Sequence, residues 1–377
     1  MIKVMHIMDK LSVDGSKIHG PARQIAYRAR YYDPERVQLR LINLRQEDPS
    51  AELLREAGVE VINLGRGKFD LRTLGDLKRE IDQWQPDVLH LSGYAAWTFG
   101  RLAGRQKGVR VVAQEHMVDR AVPKVQQVAD RLLAGKQDKV LAVSSGVKRF
   151  IEDKRGIRGE VEVLYNGVPT ESFEPPSSQR QLEIREELGL VEGQRAVGIV
   201  GRLAEMKGHR YFLDAAAILA KTRDDLRFVV IGDGPLREAL KRQAEELGIT
   251  DRVCFAGYKP GALPYLYCMD IHVLSSVFGE GFPGVCVETF LSGTPLVMTD
   301  LPNYRGDLFE DGVNCLMVPP ADGGAIAAAV DRLLDDAGLR ARLLEGGRAV
   351  TQQVSFRRIA QRYTEIYESL VRPNEAA

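Results

Sequence analysis

No apolar run in this sequence approaches the ~20 residues that a membrane-spanning helix needs. The opening MIKVMHIMDKL has neither the long apolar core nor the small-residue cleavage site of a signal peptide. Cysteine is scarce: Cys254, Cys268, Cys286 and Cys315 all fall in the second half, and none forms a C-x-x-C. They read as buried thiols of a reducing compartment, not as a disulfide framework or a metal site. Together these absences predict a cytoplasmic protein, at most peripheral to the inner face of a membrane. Several chemistries are missing too. There is no D-x-D for a metal–diphosphate site, no H-E-x-x-H, no G-x-S-x-G elbow and no Walker A lysine loop. Neither a metal site nor a bound cofactor is expected. Excess charge of one sign is also lacking, with 52 basic and 52 acidic residues, so no global field points to nucleic acid. The balance is uneven along the chain, however: residues 1–170 carry a net +7, which favours an anionic partner or a membrane surface for the first half.

What is present is a long alternation of short Val/Ile-rich runs with helical patterns. Strands are expected at 2–8, 37–43, 59–63, 87–91, 109–114 and 139–144, then at 161–165, 196–201, 227–232, 253–256, 271–275, 295–299 and 314–318. Helical stretches such as 71–83, 207–221 and 235–247 lie between them. Near-continuous apolar strands alternating with helices indicate an α/β protein whose parallel sheets are covered on both faces. The strands are too many for one ordinary doubly wound sheet, and 377 residues suit two domains. Residues 166–194, rich in Pro, Ser and charge, read as the connection. The expectation is two Rossmann-like domains facing across a cleft, with the last helix, about 355–371, crossing back to the first domain. Ligands of such sheets bind at the carboxyl ends of the strands.

The most informative stretch is EGFPGVCVE, residues 280–288. Pro283 fits the first turn of a helix, which would place the amides of Gly284 and Val285 at its positive end. Glu288 then lies one turn in, on the face of Gly284, while Glu280 stays in the loop. Two carboxylates flanking an anion-binding turn suit a molecule with diol, diphosphate and diol in series, a nucleotide sugar. A solvated loop beside an ordinary helix acid would share the pattern, so the neighbouring motifs matter. GRLAEMKG (201–208) follows a strand and puts Arg202 and Lys207 around a loop that opens a helix. Two fixed cations there would stabilise a departing diphosphate, although strand–helix junctions also carry basic residues for solubility. GDGP (232–235) has Arg237 where a dinucleotide fingerprint needs its third glycine, so it reads as a tight structural turn whose Gly232 backbone approaches a nucleotide. Tyr258, after the strand in VCFAGYK, could face a base.

In the first half, DKLSVDGSKIHGPARQ (9–24) is a long loop ending in a helix start at Gly20-Pro21, either an anion site or an unremarkable surface loop. His116 stands just past a strand end, with Glu115 and Asp119 close in sequence. His90 has a similar position, and a lone His at a strand end often has only a structural part. The basic helix 20–32 could lie on a membrane or simply be solvated.

These pieces, in this order, resemble glycosyltransferase family 4, the retaining, nucleotide-sugar-dependent enzymes of GT-B fold. The resemblance runs over nearly the whole chain: HGPAR, PDVLHLSG, His116, VSSGVKRF (143–150) and LYNGV (164–168), then GRLAEMKG, GDGPLR, FAGY, the E-x7-E stretch and DGVNCLMVPP (311–320). It implies an acceptor domain over 1–170, with 356–377 packed back on it, and a nucleotide-sugar donor domain over 171–355. It implies that Arg202 and Lys207 hold the donor diphosphate, that Glu288 binds the ribose hydroxyls, and that Glu280, Gly281, Phe282, Gly284 and Val285 hold the sugar. His116 would sit beside the reacting centre, and Gly20 would approach the phosphates. The implied reaction moves a hexose or N-acetylhexosamine from a nucleotide diphosphate, UDP the expected one, onto a saccharide acceptor, lipid-linked or of the cell envelope. A soluble or protein acceptor, a sugar-nucleotide epimerase and a non-catalytic binding subunit are the alternatives. The chain departs from the usual pattern in its early Pro283-Gly284, in His19 before Gly20, and in Cys315 where glycine is usual.

Overall fold

The computed structural model describes residues 1–12, 20–118, 122–157 and 159–372. Asp119 and residues 13–19 of the loop 9–24, His19 among them, therefore lie outside the described residues. The chain divides into two compact units, Met1–Glu171 with Val354–Ala377, and Ser172–Gln353.

The first unit holds a seven-stranded parallel sheet. Its strands are β1 (Ile2–Met8), β2 (Val37–Asn43), β3 (Glu60–Asn63), β4 (Val88–Ser92), β5 (Arg110–Glu115), β6 (Lys139–Ala142) and β7 (Val161–Val163), in the order β3-β2-β1-β4-β5-β6-β7. The order reverses between β1 and β4, where Met8 pairs with Ser92. Helix Phe356–Val371 closes one face: Ile359, Tyr363, Ile366 and Tyr367 pack on Ile2, Val4, Val88, Val112 and Leu141. The returning chain is stitched in by Val168, whose N–H donates to the Val354 carbonyl and whose carbonyl accepts from Phe356 N–H. The expected return of the last helix to the first sheet is thus what the structure contains.

The second unit holds six parallel strands, β8 (Arg195–Val200), β9 (Leu226–Ile231), β10 (Val253–Gly257), β11 (Ile271–Leu274), β12 (Leu296–Thr299) and β13 (Leu316–Val318), in the order β10-β9-β8-β11-β12-β13. This order reverses between β8 and β11. The central strands of both sheets are runs of buried Val, Ile and Leu, as parallel strands covered on both sides must be.

The stretch that reads as a connector contains a ten-residue helix, Ser178–Glu187. Ser177 caps it by accepting from Arg180 N–H (3.2 Å), and Ile184 and Leu188, one turn apart, are buried together. Its charged outer face hides that apolar pair from a reading by composition. The basic helix of the first unit, Gly20–Ala29, is committed to packing: Ala22, Ile25 and Ala26 are buried, and the Arg28 guanidinium lies 3.7 Å over the Tyr363 ring. Its other side leaves Gly20 and, just past the helix, Arg30 exposed. Among the described residues no helix is long and apolar enough to cross a membrane.

Candidate active site

In the second unit the chemistry-bearing loops gather where the strand order reverses, at the carboxyl ends of β8 and β11. The loop after β8 is held down by its neighbours. Gly201 N–H donates to Ile231 C=O (2.9 Å), and Leu203 N–H to Asp233 C=O (3.0 Å). Gly232, at φ +139°, rests so closely on the Gly201 carbonyl that a Cβ would overlap it. GDGP is accordingly the bed on which the Arg202 loop lies. Its helix begins at Arg237, two residues beyond the Pro235 that seemed to open it.

The second half of the loop is sewn to the segment after β11. The Ser275 hydroxyl donates to the carbonyls of Lys207 and Gly208 (3.0 Å each), and Val277 N–H donates to Met206 C=O (2.8 Å). Gly208, at φ +63°, leaves no room for a side chain against the Ser275 carbonyl. The result is a direct meeting of two expected site residues across 73 positions: Lys207 Nζ lies 2.5 Å from Glu280 Oε1. The Ser276 hydroxyl donates to the same oxygen (2.6 Å), and Asn303 Nδ2 holds the Glu280 carbonyl (2.8 Å). Glu280 is 5% exposed, so its charge is paired and hydrogen-bonded as a buried carboxylate must be.

Helix Gly284–Ser292 begins one residue later than expected. Pro283 stands just outside as its cap residue, at φ −78° and ψ 80°. The Gly284 N–H donates to the Phe282 carbonyl (2.9 Å), so this amide is engaged within the turn, not open as the helix start had suggested. What Gly284 offers is space: nothing lies within 4 Å of where its Cβ would be. Glu288 follows one turn on, half-buried, with Val285 beside Gly284 at the start of the helix. Gly281 and Phe282 are buried, and the Phe282 ring packs 6.0 Å from that of Phe309. Phe282 therefore anchors the loop with its side chain. Tyr258 follows β10 and is 39% exposed. Arg202 is half-buried in its loop.

Sequence reasoning passed over Ser275, Ser276 and His209. His209 opens helix His209–Leu219 and is 2% exposed; burial, helped by the Lys207 charge, holds its pKa down to about 3, so the ring is neutral. Only the pairing of β8 with β11 could have exposed Ser275, whose partners lie 68 and 67 positions away in sequence, whereas Ser276 answers Glu280 four positions on.

Gly20 and His116 belong to the first unit. Gly20 opens helix Gly20–Ala29 and is exposed. His116 follows β5, and its loop is pinned by Glu115, which accepts His116 N–H at Oε1 (2.9 Å) and Arg155 Nη1 at Oε2 (2.6 Å). Arg155 is fully buried and also donates to Asp130 (2.8 Å), which in turn accepts from Arg101. Two cations and two anions thus neutralise one another behind the His116 loop. His90 is a central residue of β4, buried between Tyr367 Oη (2.7 Å) and Gln114 Oε1 (2.9 Å), and its part is structural. Three of the cysteines are buried and Cys254 is half-buried, all as free thiols. Among the described residues no cluster of His, Cys, Asp and Glu is placed to hold a metal ion.

Two parallel Rossmann-like sheets of this strand order, one in each unit, are the GT-B fold. Comparison with known proteins gives the family. Residues 18–172 match the family described as Glycosyltransferase Family 4, and residues 180–350 match Glycosyl transferases group 1. An alpha-D-kanosaminyltransferase of Streptomyces kanamyceticus is 31% identical over 289 residues, 73% of this chain and 74% of that one. The lipopolysaccharide core biosynthesis glycosyltransferase LpsE of Rhizobium meliloti is 33% identical over 171 residues, 45% of this chain and 48% of that one. Among solved structures, Anabaena HepE in complex with UDP aligns at TM-score 0.81 and 21% identity over 98% of this chain and 100% of its own. Its complex with UDP-glucose aligns at 0.79 and 22%, with the same coverage. The chain belongs to glycosyltransferase family 4, a family of retaining hexosyltransferases. It is an enzyme that transfers a sugar from a nucleotide sugar.

Proposed function

We propose that the donor is a UDP-hexose or UDP-N-acetylhexosamine, that the second unit binds it, and that the acceptor is a saccharide on a lipid or of the cell envelope. The observation that carries this reading is the pairing of Lys207 with Glu280 at the sheet reversal, beside the helix start Gly284–Val285 and one turn before Glu288. Lys207 and Arg202 neutralise the diphosphate as it departs. Glu280 and the open space over Gly284 receive the sugar, Glu288 accepts from the ribose hydroxyls, and Tyr258 and the Gly232 turn border the base. Gly281, Phe282 and Val285 shape the sugar subsite through their backbone. In the first unit His116 takes part in transfer, and the helix start at Gly20 favours phosphate.

In the reaction the acceptor oxygen bonds to the anomeric carbon as the bond to the diphosphate oxygen breaks. The acceptor proton passes to a diphosphate oxygen, so no side chain need act as nucleophile and the configuration is kept. The UDP and UDP-glucose complexes of HepE support uridine and glucose as first choices. LpsE, named for the lipopolysaccharide core, supports an envelope acceptor.

A membrane-borne acceptor also accords with helix Lys124–Leu132. It turns Gln126 and Asp130 inward and leaves Val125, Val128 and Leu132 at 72, 53 and 74% exposure, beside exposed Lys124 and Arg131. An outward face that is apolar and basic suits an anionic lipid surface at the inner face of a membrane.

The test is a panel of UDP-, GDP-, ADP- and dTDP-sugars, followed by mass spectrometry for nucleotide release by the wild type and by Lys207→Ala. Release from a UDP-hexose that the variant loses is the expected result. Turnover of only a non-uridine donor would replace UDP, and equal release by a folded variant would remove Lys207 from the site. Flotation with anionic vesicles tests the membrane contact, which Val128→Asp should abolish.

A further inference from the structure

Three loops of the second unit converge on Glu280, and they do not treat its two carboxylate oxygens alike. Oε1 accepts twice, from Lys207 Nζ (2.5 Å) and from the Ser276 hydroxyl (2.6 Å). Oε2 accepts from none of the described residues. It is not sealed off either. The Glu280 side chain keeps 7% of its surface open, and a fully buried Oε2 would stand without a donor, an atom that Glu280 does not have. One oxygen is committed to the protein, and the other is left for a group that arrives from outside.

Lys207 alone would not enforce this division. An ammonium is a compact charge on a flexible stem, and either oxygen of a carboxylate can answer it. Rotation of the carboxylate about its last bond, which has a broad torsional well, would exchange the two oxygens. The Ser276 hydroxyl breaks that symmetry, because its own position is fixed from the neighbouring strand. The hydroxyl of Thr299, the last residue of β12, donates to the Ser276 carbonyl (2.5 Å). In the turn that follows, Asn303 Nδ2 donates to the Glu280 carbonyl (2.8 Å) and fixes the backbone at the other end of the loop. Ser276 and Thr299 are fully buried, so water does not compete for the bonds that set the carboxylate plane.

The same geometry limits what Glu280 recognises. A carboxylate with both oxygens free takes two vicinal hydroxyls, one on each. With Oε1 filled by Lys207 and Ser276, that fork is gone. Oε2 accepts and cannot donate, so the group it meets must bring a proton.

We infer that Ser276 is a positioning residue, backed by Thr299 and Asn303, which turns Oε2 of Glu280 to the donor sugar, so that this carboxylate selects a single sugar hydroxyl and not a diol. The inference rests on the placing of the sugar at Glu280 proposed above.

The probes are UDP, UDP-glucose and analogues of UDP-glucose in which one sugar hydroxyl at a time is replaced by fluorine, each titrated calorimetrically without acceptor. Fluorine cannot donate, so at the selected position it removes the bond to Oε2 and faces the carboxylate with its own negative end. With the wild type, one analogue should bind at least about tenfold more weakly than UDP-glucose, as the loss of a hydrogen bond to a charged group requires, and the others within about threefold of it. Ser276→Ala keeps the Lys207 pair and frees the carboxylate to turn. It should shrink that one penalty to about threefold with the Kd for UDP unchanged, and Ser276→Thr, which keeps the hydroxyl, should preserve the penalty. Ser276→Ala weakening UDP itself as much as UDP-glucose would give the hydroxyl a merely structural part, and a penalty left whole in the folded variant would remove Ser276 from the recognition. Two neighbouring positions penalised equally in the wild type, or none, would overturn the single-hydroxyl reading even if Ser276→Ala fails to fold. If the wild type binds neither UDP nor UDP-glucose, the donor assignment itself fails, and this inference with it.

Discussion

Lys207 and Glu280 hold each other in the same place where a diphosphate and a sugar are to be held, so each has a structural and a chemical duty. Lys207→Ala removes the cation and leaves a nearly buried carboxylate with only the Ser276 hydroxyl on Oε1. The fold should survive with stability lowered by roughly 3 kcal/mol, while kcat falls by about 10²–10³. Circular dichroism, a urea melt and donor turnover on one preparation check all three. Glu288 lies a turn away and has a narrower duty. Glu288→Gln should weaken UDP by about tenfold, near 1.4 kcal/mol, with little change in kcat once donor saturates. Isothermal titration with UDP reads the first effect and a saturation curve the second. An unchanged Kd would take the ribose away from Glu288.

At the scale of elements, the loop that carries His116 depends on helix Lys124–Leu132, because Asp130 on that helix neutralises both Arg101 and Arg155 out of water. Asp130→Ala would leave two guanidiniums buried with only Glu115 to balance them. Unfolding in urea should show a loss of about 3–5 kcal/mol, and a loss under 1 kcal/mol would mean that water reaches the network. Most elements were legible beforehand, since a strand such as RFVVI announces itself by a continuous apolar run ending in glycine. The E-x7-E helix was legible through its glycine and proline, but not its first residue or the engaged Gly284 amide, because a turn's own hydrogen bonds leave no mark in composition. Helix Ser178–Glu187 was hidden by its charge and by the prolines before it. Ser275 was invisible for a deeper reason. Its hydroxyl is chosen for carbonyls 67 and 68 positions away, and only the strand order brings them near.

For the molecule as a whole, histidine burial sets an acid limit. His6, His90, His209 and His272 are each held below the ordinary 6.5, chiefly by burial, the last two down to about 3. Below about pH 6.5 the unfolded chain takes up protons that these folded rings refuse. Their stability is therefore intact above pH 6.5 and drains away as pH falls toward 3, by up to about 1.4 kcal/mol per pH unit for each ring. Guanidinium melts at pH 7.5, 6 and 5 should show this slope, and His272→Asn, which keeps a donor to Thr289, should flatten it. A level profile would mean that the rings accept protons in place. The return of the chain at Val354 bears on biosynthesis. The helix that seals Ile2, Val4 and Val88 is translated only after the second unit, roughly 200 residues later, or about 10–40 s at ribosomal speed. The unit encoded in the middle can finish folding first. The one encoded before it must wait on the ribosome with an open apolar face, a client for chaperones until helix Phe356–Val371 has emerged.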